Sequence, residues 1–309
     1  MNGNPEVFDR RVLRRHRDRA AATIGAHDFL VREVGERLLD RLEDVRRAFP
    51  LALDLGCHHG VVADLLAGRG GIQTLIQADL SPAMARLAGA HSGLSLAADE
   101  EALPFAEASF DLVISVLSLH WVNDLPGTLL QVARALKPDG LLLAAIIGGD
   151  SLRELRAALM QAEMEVEDGA SPRVSPFADL RDLGGLLQRA GFALPVADTD
   201  RITVTYPSAL KLMHDLRGMG ETGCDRHRRK GMTRRTTLLR AAGLYEENFG
   251  DPSGRIPAGF DILYLTGWAP HASQPQALSP GSAASRLAAA LDSAELSSGE
   301  KAGPKRGRA

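Results

Sequence analysis

The chain has 309 residues, 45% of them hydrophobic, and a formal net charge of −3; that suits one large α/β domain with insertions and gives no global electrostatic case for nucleic acid. The longest uncharged apolar run, Leu141 to Gly149, is too short to cross a bilayer, and the opening MNGNPEVFDRR has no apolar signal core. Cys57 and Cys224 stand outside any CxxC pair, so neither a disulfide framework nor a zinc site is expected.

Residues 5 to 48 read as helices, with Val12, Leu13, Phe29, Leu30, Val34, Leu38 and Leu42 forming an apolar stripe among interleaved charges. Strand and helix signals then alternate. Leu51–Leu55 is a short buried strand and Val61–Ala67 a helix. Gln73–Ala78 is strand-like, and Ser81-Pro82 starts a helix with Ser as N-cap and Pro at the first helical position. Leu94–Ala97 and Phe110–Val116 are the third and fourth strands. Asp124–Leu136 is helical and stops at the turn Lys137-Pro138-Asp139-Gly140. Leu141–Ile147 is a fifth strand, apolar on both faces. Such repeated βα units predict a mostly parallel sheet covered by helices on both sides.

After Gly149 the rhythm changes. Asp150 or Ser151 caps a helix running to about Glu167, and Pro176–Ala190 is another helix. Val196–Thr205 and Asp261–Trp268 complete a seven-stranded sheet. The expected organisation is a helical N-terminal segment (1–48), a Rossmann-like core (49–207), a helical cap insertion over the sheet's C-terminal edge (208–258) and a last core strand (259–269). A disordered Ala/Ser/Gly/Pro-rich tail (270–309) follows.

Ligands of open α/β sheets bind beyond the C-terminal ends of the strands. There the sequence places Asp54-Leu55-Gly56-Cys57-His58-His59-Gly60, a strand running into a glycine-bearing turn. Gly56 permits the tight turn, and Gly60 lets the next helix start close to the ligand. Asp79 ends the second strand, where a carboxylate accepts ribose hydroxyls. Asp99 ends the third, followed by Glu100, where an adenine amino group would be met. Each acid alone is an ordinary turn residue; together, in order, they mark a nucleoside-bearing cofactor. A nicotinamide cofactor is disfavoured because GxGxxG is absent.

The successive segments LDLGC..G, D.SP.M...A, ADEE.LPF...SFDLV.S.LSLHWVNDLP and LKPDG resemble the motifs of class I S-adenosylmethionine-dependent methyltransferases. With VFDR, GGD.L.ELR, DTD...V.YP and DL.GMGE, the chain resembles more closely the mitochondrial complex I assembly factor 5 group and its bacterial relatives, over about residues 6 to 268. The resemblance implies S-adenosylmethionine as cofactor, held by Asp54, Gly56, His58, Gly60, Asp79, Asp99 and Glu100. It implies a protein substrate in a respiratory complex I subunit and, from the eukaryotic member, arginine hydroxylation rather than methylation. The alternatives are a carboxyl methyltransferase of the biotin-pathway type and a non-catalytic assembly chaperone. A cytoplasmic location follows for a bacterial chain, compatible with attachment at the inner face of the membrane, and the mitochondrial matrix for a processed eukaryotic one.

One departure stands out. The family loop is Gly-Cys-Gly-x-Gly, and here the middle glycine is His58. Either the loop shifts and still binds, or His58 reaches into the site; a positive φ there would cost about 1–3 kcal/mol. For chemistry, His120 is a candidate base and Trp121 a candidate wall of the acceptor pocket; the competing assignment makes His120 a cap of the helix at Asp124 and Trp121 packed core. The HxD and HD pieces His16-Arg17-Asp18, His27-Asp28 and His214-Asp215 read as surface helix residues, so no metal is assigned. Two basic runs, Arg10 to Arg19 and Arg226 to Arg240, read as solvated faces or as docking surfaces for an acidic protein.

Overall fold

A computed structural model describes residues 6–275 and 287–294. Residues up to His271 form one compact unit; in the remainder the described residues include a short helix, Leu287–Ala290, and most of the predicted disordered tail lies outside the described residues.

The unit is built on a seven-stranded sheet of order β3-β2-β1-β4-β5-β7-β6. The strands are β1 (Leu51–Leu55), β2 (Thr74–Asp79), β3 (Ser95–Ala97), β4 (Phe110–Val116), β5 (Leu136–Gly148), β6 (Ala193–Tyr206) and β7 (Ile256–Trp268). The first five run parallel, and β7 lies antiparallel between β5 and β6. Alternate residues of each strand enter different cores. Ala52, Leu112, Ile114, Leu141 and Leu143 face the helices α2 (Phe29–Asp40), α6 (Arg153–Glu167), α8 (Ala209–Met219) and α9 (Arg235–Phe249). Leu53, Val113, Leu142 and Ala144 face α5 (Leu125–Ala135) and α7 (Leu180–Arg189). This period of two explains why the central strands read as unbroken apolar runs. Two further helices, α3 (Val61–Leu65) and α4 (Pro82–Ser92), follow β1 and β2. At the N-terminus, α1 (Arg10–Ala20) starts at Asp9, whose side chain accepts from the Val12 amide.

The predicted fold and strand count stand, with local corrections. The Lys137-Pro138-Asp139-Gly140 turn is a bulge inside β5: Phe110 pairs with Leu136 and Leu112 with Leu141, while Asp139 takes a φ of 63°. Helix α6 has no side-chain cap from Asp150 or Ser151. The Ser151 hydroxyl instead donates to Gly148 O and accepts the Asp261 amide, tying the helix start to β7. Helix α7 starts at Leu180, capped by Asp179, and β7 starts at Ile256, inside the predicted insertion. The insertion shares the main core. Leu212 of α8 and Ala241, Leu244 and Tyr245 of α9 enter the same core as Phe260 and Tyr264 of β7, and α9 packs along α6.

Candidate cofactor and acceptor site

The carboxyl ends of β1, β2 and β4 meet beneath α1. Gly56 takes a φ of 77°, and a Cβ there would lie 2.1 Å from the Ser118 side chain, so only glycine lets this loop close onto the end of β4. His58 takes a φ of 50°, the strained state anticipated for it. Its amide donates to Asp79 Oδ2 at 3.0 Å, and its buried ring spans the loop so that Nε2 lies 3.0 Å from the Val116 carbonyl. That acceptor fixes the proton on Nε2. Burial, reinforced by the Arg17 charge, holds the imidazole below its usual pKa and keeps it neutral. The His58 ring is thus held against the end of β4.

Asp79 is fully buried, and its Oδ1 accepts the Ser81 amide at 2.7 Å. Asp54 is fully buried with no partner for either carboxylate oxygen; burial first, and then the charge of Asp79, push its pKa well up. Glu100 is the buried acid of the third strand's loop. Asp99 is partly exposed; it bonds Arg10 at 2.5 Å and accepts the Glu101 amide.

Arg10 and Arg17 correct the sequence reading most. They lie with Leu13 and Ala20 on one face of α1 and turn inward, whereas Arg11, Arg14, Arg15 and Arg19 are exposed. Arg17 is only 1% exposed. Its Nη1 lies 3.1 Å from Glu100 Oε1 and 3.4 Å from Asp79 Oδ2, and its Nη2 donates to Ser118 Oγ at 2.9 Å. Arg10 closes the other side of Glu100 and donates to the Trp121 carbonyl at 3.3 Å. Burial alone would push Glu100 up, but the two guanidinium groups outweigh it and hold the acid at about 2.

His120 does not cap the next helix; Asp124 does, accepting the Gly127 amide at 2.9 Å. The Asn123 side chain bonds the backbone of Phe8, accepting its amide at 2.7 Å. His120 Nε2 lies 3.0 Å from Glu221 Oε2, and Trp121 Nε1 donates to the same oxygen at 2.8 Å. Burial alone would raise the pKa of Glu221, yet His120 and Arg17 hold it below the usual carboxylate range. Trp121, packed edge-on against Phe8, also lines a cavity of about 360 Å³ walled by Ile147, Leu155, Phe177, Met213 and Leu238, with Glu221 among its polar lining residues. Glu221 received no role from the sequence, although it sits in the DLRGMGE segment; only the fold brings it to Trp121.

The remaining clusters resolve differently. His27 and His214-Asp215, read as separate surface pieces, converge, their ligand atoms within 4.8 Å of one another. Asp215 is already partnered by His27 at 3.0 Å and Lys211 at 2.9 Å. Much of the second basic run is neutralised at home: Arg226 pairs with Glu6, Arg229 with Glu167, and Arg240 with Glu165 and Glu247.

Residues 53–144 match the profile of a methyltransferase domain. Over 281 residues the chain is 45% identical to the mitochondrial arginine-hydroxylase NDUFAF5 of Danio rerio, covering 90% of this chain and 87% of that one. The chain belongs to this family. The human member is 46% identical over 90% of this chain and 81% of its own length. The family's reach extends to the malonyl-[acyl-carrier protein] O-methyltransferase of Methylovorus sp. (strain MP688), 36% identical over 91% of this chain and 96% of that one. Among solved structures, the YcgJ protein of Bacillus subtilis superposes with a TM-score of 0.52 at 16% identity, covering 76% of this chain and 99% of that one. At that identity the likeness is one of fold, which is the class I methyltransferase fold.

The fold implies S-adenosylmethionine, and the donor chemistry fits it. Asp79 stands where ribose hydroxyls need an acceptor, and the unpartnered Asp54 carboxylate would be satisfied by the cofactor's ammonium group. The space is another matter, because with α1 in place the Arg17 guanidinium already holds Asp79 and Glu100.

Proposed function

We propose that this chain is an S-adenosylmethionine-binding enzyme that modifies an arginine side chain of a protein, a respiratory complex I subunit by the family's assignment. The observation that carries the reading is the largely apolar cavity with Glu221 in its lining. Apolar walls suit an aliphatic stem, and a carboxylate kept ionised by its neighbours suits a guanidinium at the tip. Arg173 and Arg217 also line the cavity, but Arg173 is bound to Glu163 and Thr233, and Arg217 is exposed. A malonyl group would bring its own carboxylate toward Glu221 and meet like charge.

Asp54, Asp79 and Glu100 would hold the cofactor, which supplies an electrophilic methyl on a sulfonium when bound. On this chain's side, Glu221 orients the acceptor, His120 and Trp121 fix the Glu221 carboxylate, and the apolar walls exclude water. Titration of an arginine-containing peptide and of a malonyl thioester against the wild type and Glu221→Gln tests the assignment. The expected result is peptide binding weakened about tenfold or more by the substitution, as for loss of one charged hydrogen bond. Binding of the thioester alone would transfer the chain to the carboxyl methyltransferase reading. That reading is kept because of the malonyl-[acyl-carrier protein] relative.

A further inference from the structure

We propose that α1 is a removable plug of the cofactor cleft: the guanidinium of Arg17 and S-adenosylmethionine compete for the same carboxylates, so the cofactor enters only as α1 unlocks. The inference rests on the cofactor reading above.

Three features carry it. The first is what Arg17 touches. A helix that merely packed on the cleft would present apolar side chains. This one drives a fully buried cation onto Asp79, Glu100 and Ser118, at the strand ends where a class I cofactor lies. The Asp79 oxygen nearest Arg17 also receives the His58 amide, so a ribose hydroxyl reaching that oxygen must displace the guanidinium.

The second is what holds α1 down. Val12 and Leu13 pack in a small cluster with Phe8, Trp121 and Cys224, and Ala20 packs with Ile24 and Met84. Both clusters are separate from the two cores that cover the sheet, so α1 can leave without opening either. Polar contacts complete its seat: Arg10 and Arg17 bond the cleft acids, Asp18 accepts the Ser81 hydroxyl at 2.5 Å, and His16 Nδ1 lies 3.1 Å from the Thr222 carbonyl.

The third is coupling to the acceptor cavity. Arg10 donates to the Trp121 carbonyl, and Phe8 packs against the Trp121 ring. Trp121 in turn holds Glu221. Withdrawal of α1 therefore loosens the residue that shapes the acceptor end. Cofactor entry at the α1 end would thereby release a restraint on the acceptor end.

The test is calorimetric titration of the full chain with S-adenosylmethionine, wild type beside Arg17→Met, which keeps the apolar stem and removes the fork. Binding about tenfold or more tighter in the variant is expected, because the cofactor no longer has to displace a buried ion pair. Affinities within about twofold of each other would overturn the plug while leaving the cofactor reading intact. No binding to either protein would remove the cofactor reading and the plug with it. Because Arg17→Met leaves buried acids short of a partner and could fail to fold, amide exchange of the wild type gives an independent answer. Saturating cofactor should accelerate exchange of the α1 amides about tenfold or more; unchanged or slowed exchange would overturn the proposal.

Discussion

At the scale of single residues, the site is an arrangement of buried charges balanced against one another. Glu100 is the clearest case. Its pKa is about 2 in the folded chain against an ordinary 4.5, so its contribution to stability is complete above the ordinary value and is lost as the pH falls toward 2. Glu100→Gln should therefore lower stability at neutral pH by on the order of 3 kcal/mol, with two guanidinium groups left facing a neutral amide. Thermal melts from pH 7 downward should show the gap between variant and wild type closing through the same window; a gap independent of pH would contradict the ion-pair account. His58 gives a second prediction. His58→Gly removes the ring that spans the loop, so the variant should bind S-adenosylmethionine more tightly, by about tenfold, if ring and cofactor share that space. Calorimetry reads it directly, and weaker binding would mean that the ring helps to hold the cofactor. Asp54, Gly56, Gly60, Asp79 and the pair Asp99-Glu100 were legible in the sequence because strand ends and glycine turns are local signals. Arg17 and Glu221 were not. Each acquires its role from contacts far away in the chain, and a buried arginine in an arginine-rich helix looks like its exposed neighbours. The spacing of Arg10, Leu13, Arg17 and Ala20 on one helical face was the available clue.

At the scale of elements, alternation of apolar strands and amphipathic helices was enough to predict seven strands, and the two ranges Leu51–Leu55 and Phe110–Val116 are reproduced to the residue. The errors fall where tertiary contacts override local chemistry. A Pro-Asp-Gly turn is absorbed into β5 as a bulge, and Ser151 leaves the cap position to bind β7. The region expected as a cap is the largest difference, because charges dominate its sequence while the few apolar side chains on the inner faces of α8 and α9 decide its packing. Tyr245 tests this. It is fully buried, and its hydroxyl donates to the Pro257 carbonyl at 2.7 Å. Tyr245→Phe should cost about 1 kcal/mol for the lost hydrogen bond, and Tyr245→Ala about 3–5 kcal/mol, or roughly 10 °C in Tm. A negligible effect of the alanine variant would contradict the shared core.

At the scale of the whole molecule, the chain combines two features that the fold alone does not dictate. One is an N-terminal helix that sets Arg10 and Arg17 on the acids at the strand ends. The other is a largely apolar cavity with Glu221 in its lining. On the proposals above, the first would make cofactor entry depend on α1, and the second would favour a cationic acceptor over an anionic one. Among the described residues no helix is long and apolar enough to cross a membrane. The measurement closest to the central claim is mass spectrometry of complex I subunits from cells lacking the chain, beside cells carrying Glu221→Gln. The account predicts that a single arginine loses its modification in both, while the variant protein remains at normal abundance. An unmodified-to-modified ratio unchanged in both strains would contradict it: failed assembly would then point to a scaffold, and a requirement for biotin to the carboxyl methyltransferase.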